Sequence, residues 1–161
     1  MTVRSEVLGV RELDTFMETL PGKIQKNVQR TALRAGAKVV LDEVKQRIPV
    51  ASGDLLRSAR ITSRAQGATT SASVKVGNSV AWYAHLVEFG TRPHVIAAPP
   101  GSALNVNGTI TKRVDHPGTA PRPFMRPAAD AAFTAAVEAY KKKLRERLTR
   151  QGLNTPGSPT P

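Results

Sequence analysis

The chain has 161 residues, a formal net charge of +12, no cysteine and only 4% aromatic side chains. That length fits one modest domain packed mostly by Ala, Val and Leu, and the lack of Cys excludes disulfide frameworks and thiolate metal sites. No apolar run approaches the ~20 residues of a membrane span and the first residues lack a signal-peptide core, so the chain is expected in the cytosol or in a particle assembled there.

Residues 1–9 read as a lead. From Val10, Leu13, Phe16, Met17 and Leu20 recur at three- and four-residue steps, a one-faced helix that Pro21-Gly22 ends. A longer helix is predicted over 23–48. Ile24, Val28, Ala32, Ala35, Val39 and Val44 line one face, with Leu41 and Ile48 near its edge. Lys23, Lys26, Arg30, Arg34, Lys38, Lys45 and Arg47 fill the other. At 1.5 Å per residue this helix is ~39 Å long, a spine for so small a domain. Pro49 stops it.

Ser52-Gly53-Asp54 reads as a turn before a short helical turn or strand. Two strands are predicted at 61–64 and 71–78, joined by Gln66-Gly67-Ala68. In the second, Ala72, Val74 and Val76 alternate with Ser73 and Lys75. Such a small antiparallel sheet needs a helix or a third strand on one face. Trp82, Tyr83, Leu86, Val87 and Phe89 make a short segment with a dense apolar face, most simply core. If partly exposed, its aromatics are interface anchors. Gly90 suits a helix C-terminus, and Arg92-Pro93 forces extended chain.

Residues 93–118 form a polar excursion. Asn107-Gly108 is a strong hairpin signal, with Leu104 and Val106 expected to face Ile110 across it. The expected product is a β-hairpin arm hinged at Pro99-Pro100-Gly101 and His116-Pro117-Gly118. Pro127 then opens a last helix to about residue 150, with Ala129, Phe133, Ala136, Val137, Tyr140, Leu144 and Leu148 on its apolar face. Its basic end suits the negative pole of the helix dipole. Residues 151–161 have the composition of a disordered tail. The fold class is therefore α+β: long helices on a small antiparallel sheet, with a protruding hairpin arm.

Catalytic and metal chemistry find little support. His85 and Glu88 stand three apart and could be joined by His94 or His116 as zinc ligands, but no His pair has helical ligand spacing. Glu88, Asp115 and Asp130 are too scattered to hold magnesium. Asp115-His116 adjacency gives no catalytic geometry, and no nucleophile elbow or phosphate loop occurs. No catalytic residue, cofactor or metal is expected. Stripes of Lys38, Lys45, Arg47, Lys141, Lys142, Lys143 and Arg145 could face DNA phosphates or an acidic partner without reading sequence. A non-specific nucleic-acid-binding module of a phage or mobile element is the alternative on charge alone. Glu88, between Val87 and Phe89, is expected to be partly buried and to pair with Arg92 or Arg126.

Three motifs carry a resemblance. Pro49, Ser52, Gly53 and Leu55 give P-x-x-S-G-x-L. Tyr83, Ala84, Val87, Glu88, Phe89, Gly90 and Thr91 give Y-A-x-x-V-E-F-G-T. Pro121, Pro123, Phe124, Arg126, Pro127 and Ala128 give P-x-P-F-x-R-P-A. In that order, over about residues 10–150, the chain resembles the tailed-bacteriophage family named after gene product ten of a lambdoid phage. Its members are neck, head–tail joining or tail-completion proteins related to the minor tail protein Z group. One departure is Leu56, where the family often carries a basic residue; here Arg57 follows.

The resemblance implies structural work in the virion, with no enzymatic activity. It implies a ring of identical copies, six-fold to match the tail, between the portal–connector stack and the tail terminator or tail tube. Genomic DNA would pass through without sequence readout. The interface residues expected on that reading are Trp82, Tyr83, Glu88, Phe89, Arg92, Leu104, Val106, Ile110, Phe124 and Arg126.

Overall fold

The computed structural model describes residues 22–67 and 69–150; the expected lead, the first helix over 10–20 and the tail lie outside the described residues. In chain order the elements are α1 (Gly22–Arg47), α2 (Asp54–Ser58), β1 (Arg60–Gln66), β2 (Thr69–Lys75), α3 (Ala84–Phe89), β3 (His94–Ala97), β4 (Leu104–Val106), β5 (Thr109–Thr111), β6 (Arg113–His116) and α4 (Met125–Arg150). Long helices packed on small antiparallel sheets make the class α+β, as the periodicities predict.

Helices α1 and α4, 26 residues each, run antiparallel as the spine. The first half of α1 (Val28, Ala32) packs with the end of α4 (Leu144, Leu148). Its second half (Leu41, Val44, Ile48) joins Leu55, Ala81, Ala84, Phe124 and Ala128 in the main core. Both helices hold the expected spans within two residues, but the buried faces are rotated. On α1, Gly36 and Leu41 are buried while Ala35 and Val39 are half-buried. On α4, Ala128 and Ala132 are buried while Ala129 and Phe133 are exposed.

Close helix approach causes the rotation. A Cβ at Gly36 would stand 2.8 Å from the Ala136 carbonyl oxygen. Ala128 and Ala132 go inward, and bulky Phe133 is left on the rim of a groove with Leu33, Val40 and Val74.

Strands β1 and β2 pair in full register, Arg60 with Lys75 through Gln66 with Thr69. Ile61, Val74 and Val76 pack against the main core, and α1 covers the sheet face that two strands cannot bury alone. Burial along β2 alternates residue by residue, as its sequence alternates.

Between Pro49 and β1 the chain turns through Ser52, whose hydroxyl donates to the Asp54 carboxylate. Arg57 donates to Asp54 Oδ1 at 2.7 Å and to the Ser52 carbonyl at 3.2 Å. The Ser52 hydrogen bond first, then Arg57, holds the Asp54 carboxyl below the usual carboxylate range. The basic residue displaced by one position in the sequence thus clamps this turn.

Candidate functional site

The excursion over 93–118 is a two-tier antiparallel arm. At its base β3 pairs with β6, His94 opposite His116 and Ala97 opposite Arg113. Farther out β4 pairs with β5 around Asn107-Gly108, both at positive φ as a type I′ turn requires. The two-residue turn places Val106 opposite Thr109 and Asn105 opposite Ile110. Paired residues share a face, so Ile110 sides with Asn105, and Leu104 and Val106 lie on the opposite face with Thr111 and Thr109. The expectation that Leu104 and Val106 face Ile110 is corrected by this register.

The arm's two ends are pinned. Thr91 and Thr119 exchange backbone hydrogen bonds of 3.0 and 3.1 Å. Gly90 and Gly118 flank that bridge at φ of 71° and 88°. A Cβ at Gly90 would fall 2.4 Å from the Thr119 carbonyl oxygen, and one at Gly118 would fall 2.3 Å from that of Thr91. Glycine is required here by space and by φ together.

Glu88 joins this hinge to α4. Its side chain is buried, 8% exposed. Oε2 accepts the Phe124 and Met125 amides at 2.8 and 3.0 Å, and Oε1 accepts that of Arg126 at 3.4 Å. The first bond internal to the helix is Ala128 N–H to the Phe124 carbonyl, and Pro127 has no N–H. One carboxylate therefore satisfies every free amide at the start of α4, where the dipole also favours negative charge. The expected guanidinium partner is replaced by this set of backbone donors: Glu88 has no ion pair with Arg92 or Arg126.

The three motifs meet at this hinge. Pro49, Ser52, Gly53, Leu55, Tyr83, Val87, Thr91 and Arg122 line an open cleft of about 460 Å³ beneath the arm. Phe124 is the largest fully buried side chain and anchors the returning strand. Arg122 N–H donates to the Val87 carbonyl at 2.9 Å.

The aromatic segment is divided: Tyr83 and Val87 pack against the main core as expected, whereas Trp82 and Phe89 are corrected from core to surface. Helical phase turns Ala81, Ala84 and Glu88 inward. Trp82 and Phe89 point outward at 64% and 74% exposure, and Tyr83 is half-buried with its ring edge-on to Trp82. On the arm Val95, Ile96, Val106 and Ile110 are exposed as well, and Leu104 is half-buried. Arg92 and Arg126 are exposed at the arm's base.

Histidines serve the backbone. His85 Nδ1 lies 3.0 Å from the Trp82 carbonyl and His94 Nδ1 lies 2.9 Å from that of Arg92. The His116 Nδ1 accepts the Gly118 amide at 3.0 Å. His94 and His116 rings face each other at 5.0 Å across the arm's base. Among the described residues no group of three His, Cys, Asp or Glu side chains could hold a metal ion. Asp115 and Asp130 are exposed, far from being a carboxylate cluster with the buried Glu88.

The basic helical residues divide into two sets. Lys38 pairs with Asp42, Arg47 with Glu43, Lys141 with Glu138 and Lys143 with Glu146. Lys45, Lys142 and Arg145 have no ion pair among the described residues. No described helix is long and apolar enough to cross a membrane.

Residues 11–90 match a family model described as "Bacteriophage HK97-gp10, putative tail-component". The match is narrower than the span of the three motifs and ends at the hinge glycine, Gly90. Neither curated proteins nor solved structures yield a match. The matched stretch carries the α1 spine, the clamped Ser52 turn, the β1–β2 hairpin and the Glu88 motif, and over it the chain is similar to this family of bacteriophage tail components.

Proposed function

We propose that the protein is a ring-forming component of the phage neck or tail end, acting at the head–tail junction around the DNA channel. One observation carries this reading: among the described residues, apolar side chains stand exposed at and just before α3 (Trp82, Phe89) and along the arm (Val95, Ile96, Val106, Ile110). Exposed aromatic anchors of this kind mark protein contacts. The arm is held out by its pinned base, so it meets a neighbouring copy in preference to its own body. Repeated around an axis, such a head-to-tail contact closes into a ring, six-fold where it matches a tail. The portal–connector stack on one side and the tail terminator or tube on the other are the partners, and DNA crosses the lumen without sequence readout.

Electron microscopy of a lysate from a phage carrying an early stop codon in this gene tests the reading. Filled heads beside separate finished tails are expected. Tails of uncontrolled length would move the protein to a terminator role, and normal infectious particles would overturn the structural assignment.

A further inference from the structure

Between Asp54 and Glu88 the chain contains no Asp or Glu, and this acid-free stretch folds into the β1–β2 hairpin. Strand alternation sorts its side chains. Ile61, Ser63 and Ala65 lie with Val74, Ala72 and Thr70 on the face toward α1. Arg60, Thr62, Arg64 and Gln66 lie opposite Lys75, Ser73, Ser71 and Thr69 on the other. Every residue of that outer face is a cation, a hydroxyl or an amide, and all but the half-buried Thr62 are exposed.

An ordinary solvated exterior mixes charges of both signs. Helices α1 and α4 do so, and four of their basic residues are spoken for by carboxylates. The hairpin face differs. Arg64 and Lys75 have no ion pair among the described residues. The Arg60 guanidinium is held in place by donating to the Ser58 and Gly77 carbonyls at 2.9 and 2.6 Å, with no ion pair among the described residues. On the face toward α1, Arg30 and Arg34 converge on one hydroxyl, Ser63 Oγ, at 3.2 and 3.4 Å. Three cations, Arg60, Arg64 and Lys75, thus occupy one hydroxyl-rich strip, with side chains repeating about every 6.6 Å along each strand.

From this we infer that the outer face of the β1–β2 hairpin, through Arg60, Arg64 and Lys75, binds the phosphodiester backbone of nucleic acid without reading its sequence. Arg, Lys, Ser, Thr and Gln are the side chains that contact phosphate oxygens, and the face offers no aromatic platform for base readout. The inference deepens the channel reading and rests on it for the source of the DNA; the chemistry itself is open to a solution test. Copies in a ring would present the strip repeatedly, so a modest affinity per chain suffices.

Titration of a fluorescent ~30-base-pair duplex with the full chain, between about 50 and 200 mM salt, is the test. The double variant R64Q/K75Q is compared with K142Q/R145Q, which removes the same charge from α4. All four positions are exposed, and equal melting temperatures confirm that both variants fold. The expected result is that R64Q/K75Q weakens binding about tenfold at low salt and lowers the salt slope by about 0.9 per cation removed, with K142Q/R145Q close to wild type. Equal losses in both variants would mean diffuse charge and overturn the inference, as would no binding by the wild type. Displacement of the duplex by poly-glutamate as effectively as by unlabelled duplex, charge for charge, would assign the face to an acidic protein instead. Absent DNA binding combined with unjoined heads and tails in the stop-codon lysate would sink this inference and leave the ring reading standing.

Discussion

At the scale of single residues, Glu88 has the most specific task, because three amides depend on one carboxylate. Glu88→Gln keeps the shape but turns an NH2 group toward backbone donors that need an acceptor. The expected loss is about 1–3 kcal/mol, read as a lowered urea midpoint with an unchanged slope. Arg92→Ala and Arg126→Ala should change stability by less than about 0.5 kcal/mol, since both side chains are exposed and neither pairs with Glu88. The sequence signals that Glu88 is buried, through its apolar neighbours, and that it needs a partner. It does not signal the partner, because a capping carboxylate is ordinarily found within three residues of the helix start, and this one acts across 36. Pro127 was the available hint: a helix opening with a proline has one fewer amide to satisfy, leaving a set that one carboxylate can serve.

At the scale of elements, the crossing of α1 and α4 sets the phase of both helices. Gly36→Ala would place a Cβ 2.8 Å from backbone, which cannot step aside as a side chain can. A loss of about 1–3 kcal/mol in thermal or urea unfolding is expected. Gly22→Ala, with open space around its Cβ, should be neutral or stabilise by up to about 1 kcal/mol. Periodicity made both helices legible, since their 3.6-residue pattern is written locally. Which side chains lead that pattern was not legible, because a contact between residues 36 and 136 decides it. The same division holds in the arm. Asn107-Gly108 announces its turn through backbone preference alone, whereas the side to which Ile110 turns follows from counting pairs back from a two-residue loop. For α3, the density of aromatic residues suggested core. The helical phase set by Ala81, Ala84 and Glu88 put Trp82 and Phe89 in water instead.

At the scale of the whole molecule, surfaces with no task in the monomer are where assembly is read. Trp82→Ser and Ile110→Ser should leave unfolding free energy within about 0.5 kcal/mol of wild type, because both side chains are already solvated. The wild-type chain is expected to show oligomers in native mass spectrometry, and either change should abolish them. Loss of stability without loss of oligomers would contradict the interface. The family likeness is carried by residues 11–90, while the arm and α4 lie beyond that match.

The pinned base of the arm has a consequence for how such proteins diversify. Because Thr91 and Thr119 are hydrogen-bonded to each other, the chain between them is a detour that returns to its point of departure. Lengthening a closed detour is thermodynamically inexpensive, roughly 0.6 kcal/mol for each doubling. The body registers only that the two ends arrive together, with Gly90 and Gly118 in place and Glu88 accepting the first amides of the returning helix. Selection can therefore extend, shorten or exchange the tip as a cassette, matching new neighbours while the fold beneath it is inherited intact.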